Sequence, residues 1–161
     1  MDGWGADRQV WIGDLPVAGF TSPFGGREFA VMITAFTAVP VLDKIRLARS
    51  LIDQGCRYAV CAGTECDDWE DAFDDVDVEK NPAGDASRFV MTTSHEGESL
   101  DEVSEFLFTC TAIAERTPER FVVLTFGAEA AHREAVKATI ARVIGALPNQ
   151  PLQRTGLAPR R

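Results

Sequence analysis

The sequence predicts an α/β fold: a three-layer, Rossmann-like sandwich whose four-stranded, mainly parallel sheet carries helices on both faces. Three observations lead there. Four short, largely apolar runs occur at residues 29–36, 58–62, 88–93 and 120–126, the pattern of strands buried on both faces. Each is followed by apolar residues at helical spacing. The length of 161 residues suits one domain around one core. Right-handed crossovers restrict the strand orders, and 2-1-3-4 is preferred because it lets helices cover both sides.

Residues 1–28 read as an irregular lead-in rich in Gly, Pro and aromatics, with Trp4, Trp11, Phe20 and Phe24 covering one end of the core. A short strand fits residues 9–12, and Gly25-Gly26 marks a turn. After the first strand, Pro40 suits a helix's first turn. Val41, Leu42, Ile45, Ala48, Leu51 and Ile52 give that helix its stripe, and Gly55 ends it in a left-handed conformation. The second strand closes at Gly63. Thr64 is expected to cap the next helix with Asp67 as its capping-box partner. Trp69, Ala72, Phe73 and Val76 form that helix's buried stripe. The third strand leads through a tip loop at residues 94–98 to a helix capped by Ser99 and Glu102, with Leu100, Val103, Phe106, Leu107, Cys110 and Ile113 along one side. Gly127 closes the fourth strand, and Val136, Ile140, Val143, Ile144 and Leu147 line the last helix. The main domain is thus residues 29–147. Residues 148–161, with Arg154, Arg160 and Arg161, read as a flexible basic tail.

Charge is concentrated in one place. The chain has 25 acidic and 16 basic side chains, a formal net charge of -9. Nine of the acids fall within residues 65–79, where there is no base, leaving 16 acids against 16 bases elsewhere. With no basic patch, nucleic-acid binding and docking on anionic membranes are excluded. No secretory signal and no membrane-spanning apolar run is present, so a cytoplasmic protein with reduced thiols is expected. Cys56, Cys61 and Cys66 are spaced too widely for a structural zinc site. Cys56 and Cys61, an odd number of residues apart, are expected on opposite faces of their strand. Asp75, Asp77 and Glu79 start like a calcium loop, but Lys80 and Ala86 stand where that loop needs glycine and glutamate. Asp74 and Asp75 sit near the helix's negative end, where carboxylates are unfavourable. Something other than helix stability must account for them.

Two functional classes follow. The first is a non-catalytic interaction or regulatory module. It would bind a basic partner (a protein, or the chain's own arginine tail) through Asp67, Asp71, Asp74, Asp75 and Asp77, with no cofactor and no metal. The second is a small hydrolase or ligand-binding enzyme at the carboxyl-end rim of the sheet, using Thr37, Glu65, Thr93, His95 and Glu96. The expected order puts the topological switch point between the first and third strands. His95 suits proton transfer near neutral pH, and Glu65 and Glu96 can orient it or hold Mg²⁺ through oxygen. His132, on a helix flank, reads as structural. No Walker loop and no Gly-x-Gly-x-x-Gly follows a strand. The unusual residues lie on the helix face more than on the rim, which favours the interaction module.

The stretches CRYAVCAGTECDDWEDAFD at residues 56–74 and TTSHEGESLDE at residues 92–102 resemble a family of small bacterial α/β proteins of unknown function. The resemblance covers residues 29–127. It implies one compact α/β domain and supplies no activity and no catalytic residues.

Overall fold

A computed structural model describes residues 8–15 and 19–147, together with the backbone of Asp2–Gly3. The elements are β1 (Asp2–Gly3), β2 (Gln9–Asp14), β3 (Phe29–Ala35), α1 (Val41–Asp53), β4 (Cys56–Gly63), α2 (Cys66–Lys80), β5 (Met91–His95), α3 (Leu100–Thr109), β6 (Arg120–Phe126) and α4 (Ala130–Ala146). The expected basic tail, 148–161, lies outside the described residues. No helix among those described is long and apolar enough to cross a membrane.

The α/β class and the helices on both faces hold, but the strand order does not. The sheet runs β1-β2-β6-β3-β4-β5. All neighbours from β2 to β5 are parallel, and only the two-residue β1 is antiparallel. The four expected strands therefore stand in the order 4-1-2-3, with β2 beyond them as a fifth parallel strand. The reason is where the crossovers go. The chain steps from β3 to β4 to β5 in one direction, so α1 and α2 lie on the same face. It then crosses on the other face through α3 to β6, which lands between β2 and β3. The lead-in is thus not wholly irregular, since β2 continues the sheet from Gln9 to Asp14.

Each face has its own core. Leu47, Leu51, Trp69 and Phe73 pack on Val31, Ile33, Val122 and Leu124, with Phe20 and Phe24 of the lead-in closing that side. Val103, Leu107, Phe108, Val136 and Ile140 pack on Met32, Val60, Phe121 and Val123. Strand alternation explains the division in β3 and β6. It fails in β4 at one residue. The register passes from Phe29↔Cys56 to Ala30↔Tyr58, leaving Arg57 as the extra residue of a bulge. Cys56 therefore shares a face with Cys61, contrary to the odd spacing.

Two caps also differ from expectation. Ser99 and Glu102 form their capping box at α3. Thr64 does not cap α2: its N–H donates to the Ala35 carbonyl (2.8 Å), and Glu65 occupies the cap position with φ 56° and no side-chain capping bond. The turn is fixed at Gly63, which has φ 81° and lies so close to β3 that a Cβ would overlap the Ala35 oxygen. Gly84 also has positive φ, 65°, but faces open space. Gly84→Ala should cost about 1 kcal/mol, the left-handed backbone penalty alone. Gly63→Ala adds a backbone overlap and should cost at least about 3 kcal/mol. Urea unfolding of the two variants checks the difference, and equal losses would contradict the close approach.

Candidate functional site

The rim residues are brought to the same end of the sheet but not to one site. Gly63 turns the chain so that Glu65 points back at α1. Its Oε2 accepts from Lys44 Nζ (2.6 Å) and, at 3.4 Å, from the Val39 N–H. The Lys44 ammonium is 1% exposed, 3.4 Å from Asp68 Oδ2 and 5.8 Å above the Trp69 ring. The Lys44 hydrogen bond, then the Val39 amide, holds the Glu65 carboxyl below its ordinary value. Glu65 is therefore engaged within the chain.

His95 ends β5, where a tip loop was expected, and its side chain turns to the α3 face. It is 6% exposed and lies edge-on to Phe106, with ring centroids 4.5 Å apart. Nδ1 is 2.8 Å from Glu98 Oε2 and Nε2 is 2.9 Å from Thr93 Oγ1. An ionised carboxylate only accepts, so Nδ1 carries a proton toward Glu98, and Nε2 is paired with the threonine hydroxyl. Both nitrogens are occupied and no lone pair faces outward. Glu96 is exposed with no side-chain bond among the described residues. Thr37 packs on Gly127, at the far side of β3. Strand spacing puts β3 and β5 about 10 Å apart.

The observed order moves the switch point to the gap between β3 and β6. Of the five rim residues only Thr37 is there. Beside it in the chain, Phe36 stacks on His132 at 4.3 Å, and at the end of β2, across β6, Asp14 accepts from Thr125 Oγ1 (2.8 Å) and Arg133 (3.1 Å). His132 also takes the Glu129 N–H at 3.3 Å, so it caps α4 as well as stacking on Phe36. Sequence reasoning missed Asp14, Phe36 and Arg133. Extending the short strand at 9–12 by one pair would have found Asp14.

The acidic helix divides by direction. Toward α1, Asp68 meets Lys44 and Glu79 meets Arg49 at 2.7 Å, while Lys80 reaches back to Asp53 at 2.5 Å. Toward β5, Asp67 accepts from Ser94 Oγ (2.5 Å) and Asp74 from Thr92 Oγ1 (2.6 Å). Asp74 is thus explained: it fastens the outer strand. Asp77 is 8% exposed and does not stand on the solvent face with the other four. Burial raises its carboxyl above the ordinary value, opposed by the Val90 amide. Asp71 and Asp75 are exposed and have no hydrogen bond or ion pair among the described residues.

The cysteines do not form a reactive group. Cys56, Cys61 and Cys66 are buried. Burial pushes the Cys56 thiol up to about 12 and raises Cys61 as well. At Cys66 burial raises the thiol, Asp67 adds to it, and the His95 backbone hydrogen bond opposes it.

Two predictions follow from these placements. Glu65→Ala should destabilise more than Lys44→Met, because the first leaves a buried ammonium with Asp68 alone and the second removes the buried charge. Chemical denaturation midpoints decide, and the reverse ranking would refute the pairing. For Asp77 the folded carboxyl holds its proton to higher pH than the unfolded one. Its contribution is therefore a loss of stability as pH rises from about 4 toward neutrality. Asp77→Asn should flatten that part of the stability profile, measured as melting temperature against pH, and an unchanged slope would count against it.

No curated protein and no solved structure matches the chain. A family model described as a domain of unknown function, DUF7684, matches residues 12–143. That span takes in the end of β2, all of β3 to β6 and most of α4, and so reaches beyond the resemblance expected at residues 29–127. The chain belongs to this family, the domain of unknown function DUF7684.

Proposed function

We propose that this chain is a non-catalytic interaction or regulatory module that docks a basic protein through the outer face of α2. The observation that carries the reading is the pair Asp71 and Asp75. They are exposed and unpaired among the described residues, between or beside Asp67 and Asp74, whose carboxylates β5 holds in place. Four carboxylates along about 12 Å of helix repel one another, and a basic partner relieves that. Each exposed pair contributes only about 0.2–1 kcal/mol, so the row serves encounter rate and orientation more than affinity. Asp77, turned inward, is left out of this surface.

The rim supports an enzyme less well. Lys44 engages Glu65, Thr93 and Glu98 engage His95, and Glu96 and Thr37 lie apart from both. Free cysteines at positions 56, 61, 66 and 110 fit a reducing, cytoplasmic setting.

The test leaves the framework alone. Asp71→Asn with Asp75→Asn should keep the melting temperature within a few degrees, since neither side chain bonds within the described fold. The double variant should lose basic proteins that the parent chain captures at low ionic strength. Recovery of the same proteins at the same affinity would rule out this surface.

A further inference from the structure

We propose that the partner docks as an extended strand on the free edge of β5, with basic and apolar residues alternating along it. This rests on the reading of α2 as the docking face and adds the form of the ligand.

The first support is the edge itself. β5 is the last strand of the sheet and pairs only with β4 among the described residues, in an unbroken register from Tyr58↔Met91 to Ala62↔His95. The opposite edge carries β1 on β2. Sheet edges are commonly blocked by Lys, Pro or a bulge, and residues 91–95 have none of these. An unblocked edge can accept the backbone of an added strand.

The second support is what flanks the edge on its two faces. On the α2 face, Thr92 and Ser94 hold Asp74 and Asp67 beside the strand. Those hydroxyls are two residues apart, about 7 Å, which is also the spacing of same-face residues on an added strand. Asp74 and Asp67 are about 10.5 Å apart along the helix but lean onto these hydroxyls, which brings both within reach of long basic side chains at i and i+2 of the partner, with Asp71 between. On the other face, Phe89 is 49% exposed and Met91 is 44% exposed. Together with Ile113 they wall a hollow of about 90 Å³ at the start of β5. Its polar side is Arg57, whose buried Nε has no hydrogen-bond partner and lies 3.9 Å from Glu28. The hollow has room for one aliphatic side chain. Carboxylates on one face, and the exposed Phe89 and Met91 side chains bordering the hollow on the other, select a segment that alternates Lys or Arg with Val, Ile or Leu.

The probe is a fluorescein-labelled eight-residue peptide alternating lysine and valine, blocked at both ends, titrated against the full chain. Two further versions are N-methylated, one at the lysines and one at the valines. The expected result is binding that shifts the backbone amide resonances of residues 91–95. One methylated version should bind at least about tenfold more weakly, because it cannot pair with the edge. Met91→Lys, at an exposed edge position, should weaken the parent peptide similarly. If both methylated versions bind like the parent and only α2 resonances move, the edge is not used, while the acidic-face reading stands. If binding is indifferent to Asp71→Asn with Asp75→Asn as well, both readings fail. If the chain alone sediments as a dimer with the 91–95 amides protected, a second copy occupies the edge and the proposal is overturned.

Discussion

The buried ammonium of Lys44 is the constraint on which this end of the molecule depends. A cation at 1% exposure is tolerable only with its counter-charge at hand. Glu65 supplies it at 2.6 Å, from the left-handed conformation it adopts after Gly63. Gly63 in turn is required because β4 passes so close to the Ala35 carbonyl. The end of β3, the turn after β4, the first turn of α1 and the start of α2 are therefore one linked arrangement. Trp69 lies under the ammonium and packs on Phe126 at 4.9 Å, which carries the linkage into the core.

The same arrangement decides what the acidic segment can offer to a partner. Of its nine carboxylates, Glu65 and Asp68 face Lys44, Glu79 faces Arg49, Asp67 and Asp74 face β5, and Asp77 is turned inward. Glu70, Asp71 and Asp75 have no bonded partner among the described residues. The segment looks self-repelling as a string of letters. In the fold it is a helix clamped on one side by ion pairs to α1 and on the other by hydroxyls of the outer strand. Asp74 near the helix C-terminus is locally unfavourable, and its bond to Thr92 offsets that.

Periodicity located the elements well because burial imposes it. The apolar runs at 29–36 and 120–126 and the stripe from Trp69 to Val76 appear as read, and each residue named in that stripe is buried. What periodicity could not locate depends on contacts between distant segments. The bulge at Arg57 arises from pairing with β3 and reverses the face of Cys56. The cap position of α2 passes from Thr64 to Glu65 in a turn that the Thr64 N–H ties to the Ala35 carbonyl of the neighbouring strand. Neither can be seen in a window around the residue. The strand order is legible in part from the composition of β5. A strand placed second or third in a four-stranded sheet is covered on both faces, whereas residues 91–95 are Met-Thr-Thr-Ser-His, with Met91 exposed and the next three half-buried. That composition belongs to an edge.

The order also explains why the rim and the edge exchange importance. With β5 beside β3, Thr93, His95 and Glu96 would have bordered the switch point, where a ligand crevice is expected. With β5 at the outside and β6 beside β3, these residues sit two strands away, and their polarity answers a different need. Thr92 and Ser94 fasten α2, Thr93 and Glu98 hold His95, and no strand among the described residues pairs with the outer side of the backbone. A catalytic rim and a docking edge draw on the same residue types, hydroxyls and carboxylates near strand ends. Strand order separates them, since it determines whether those groups converge across a crevice or line up along a border. Here they line up, beside a helix whose solvent face carries Asp71 and Asp75 without a bonded partner among the described residues.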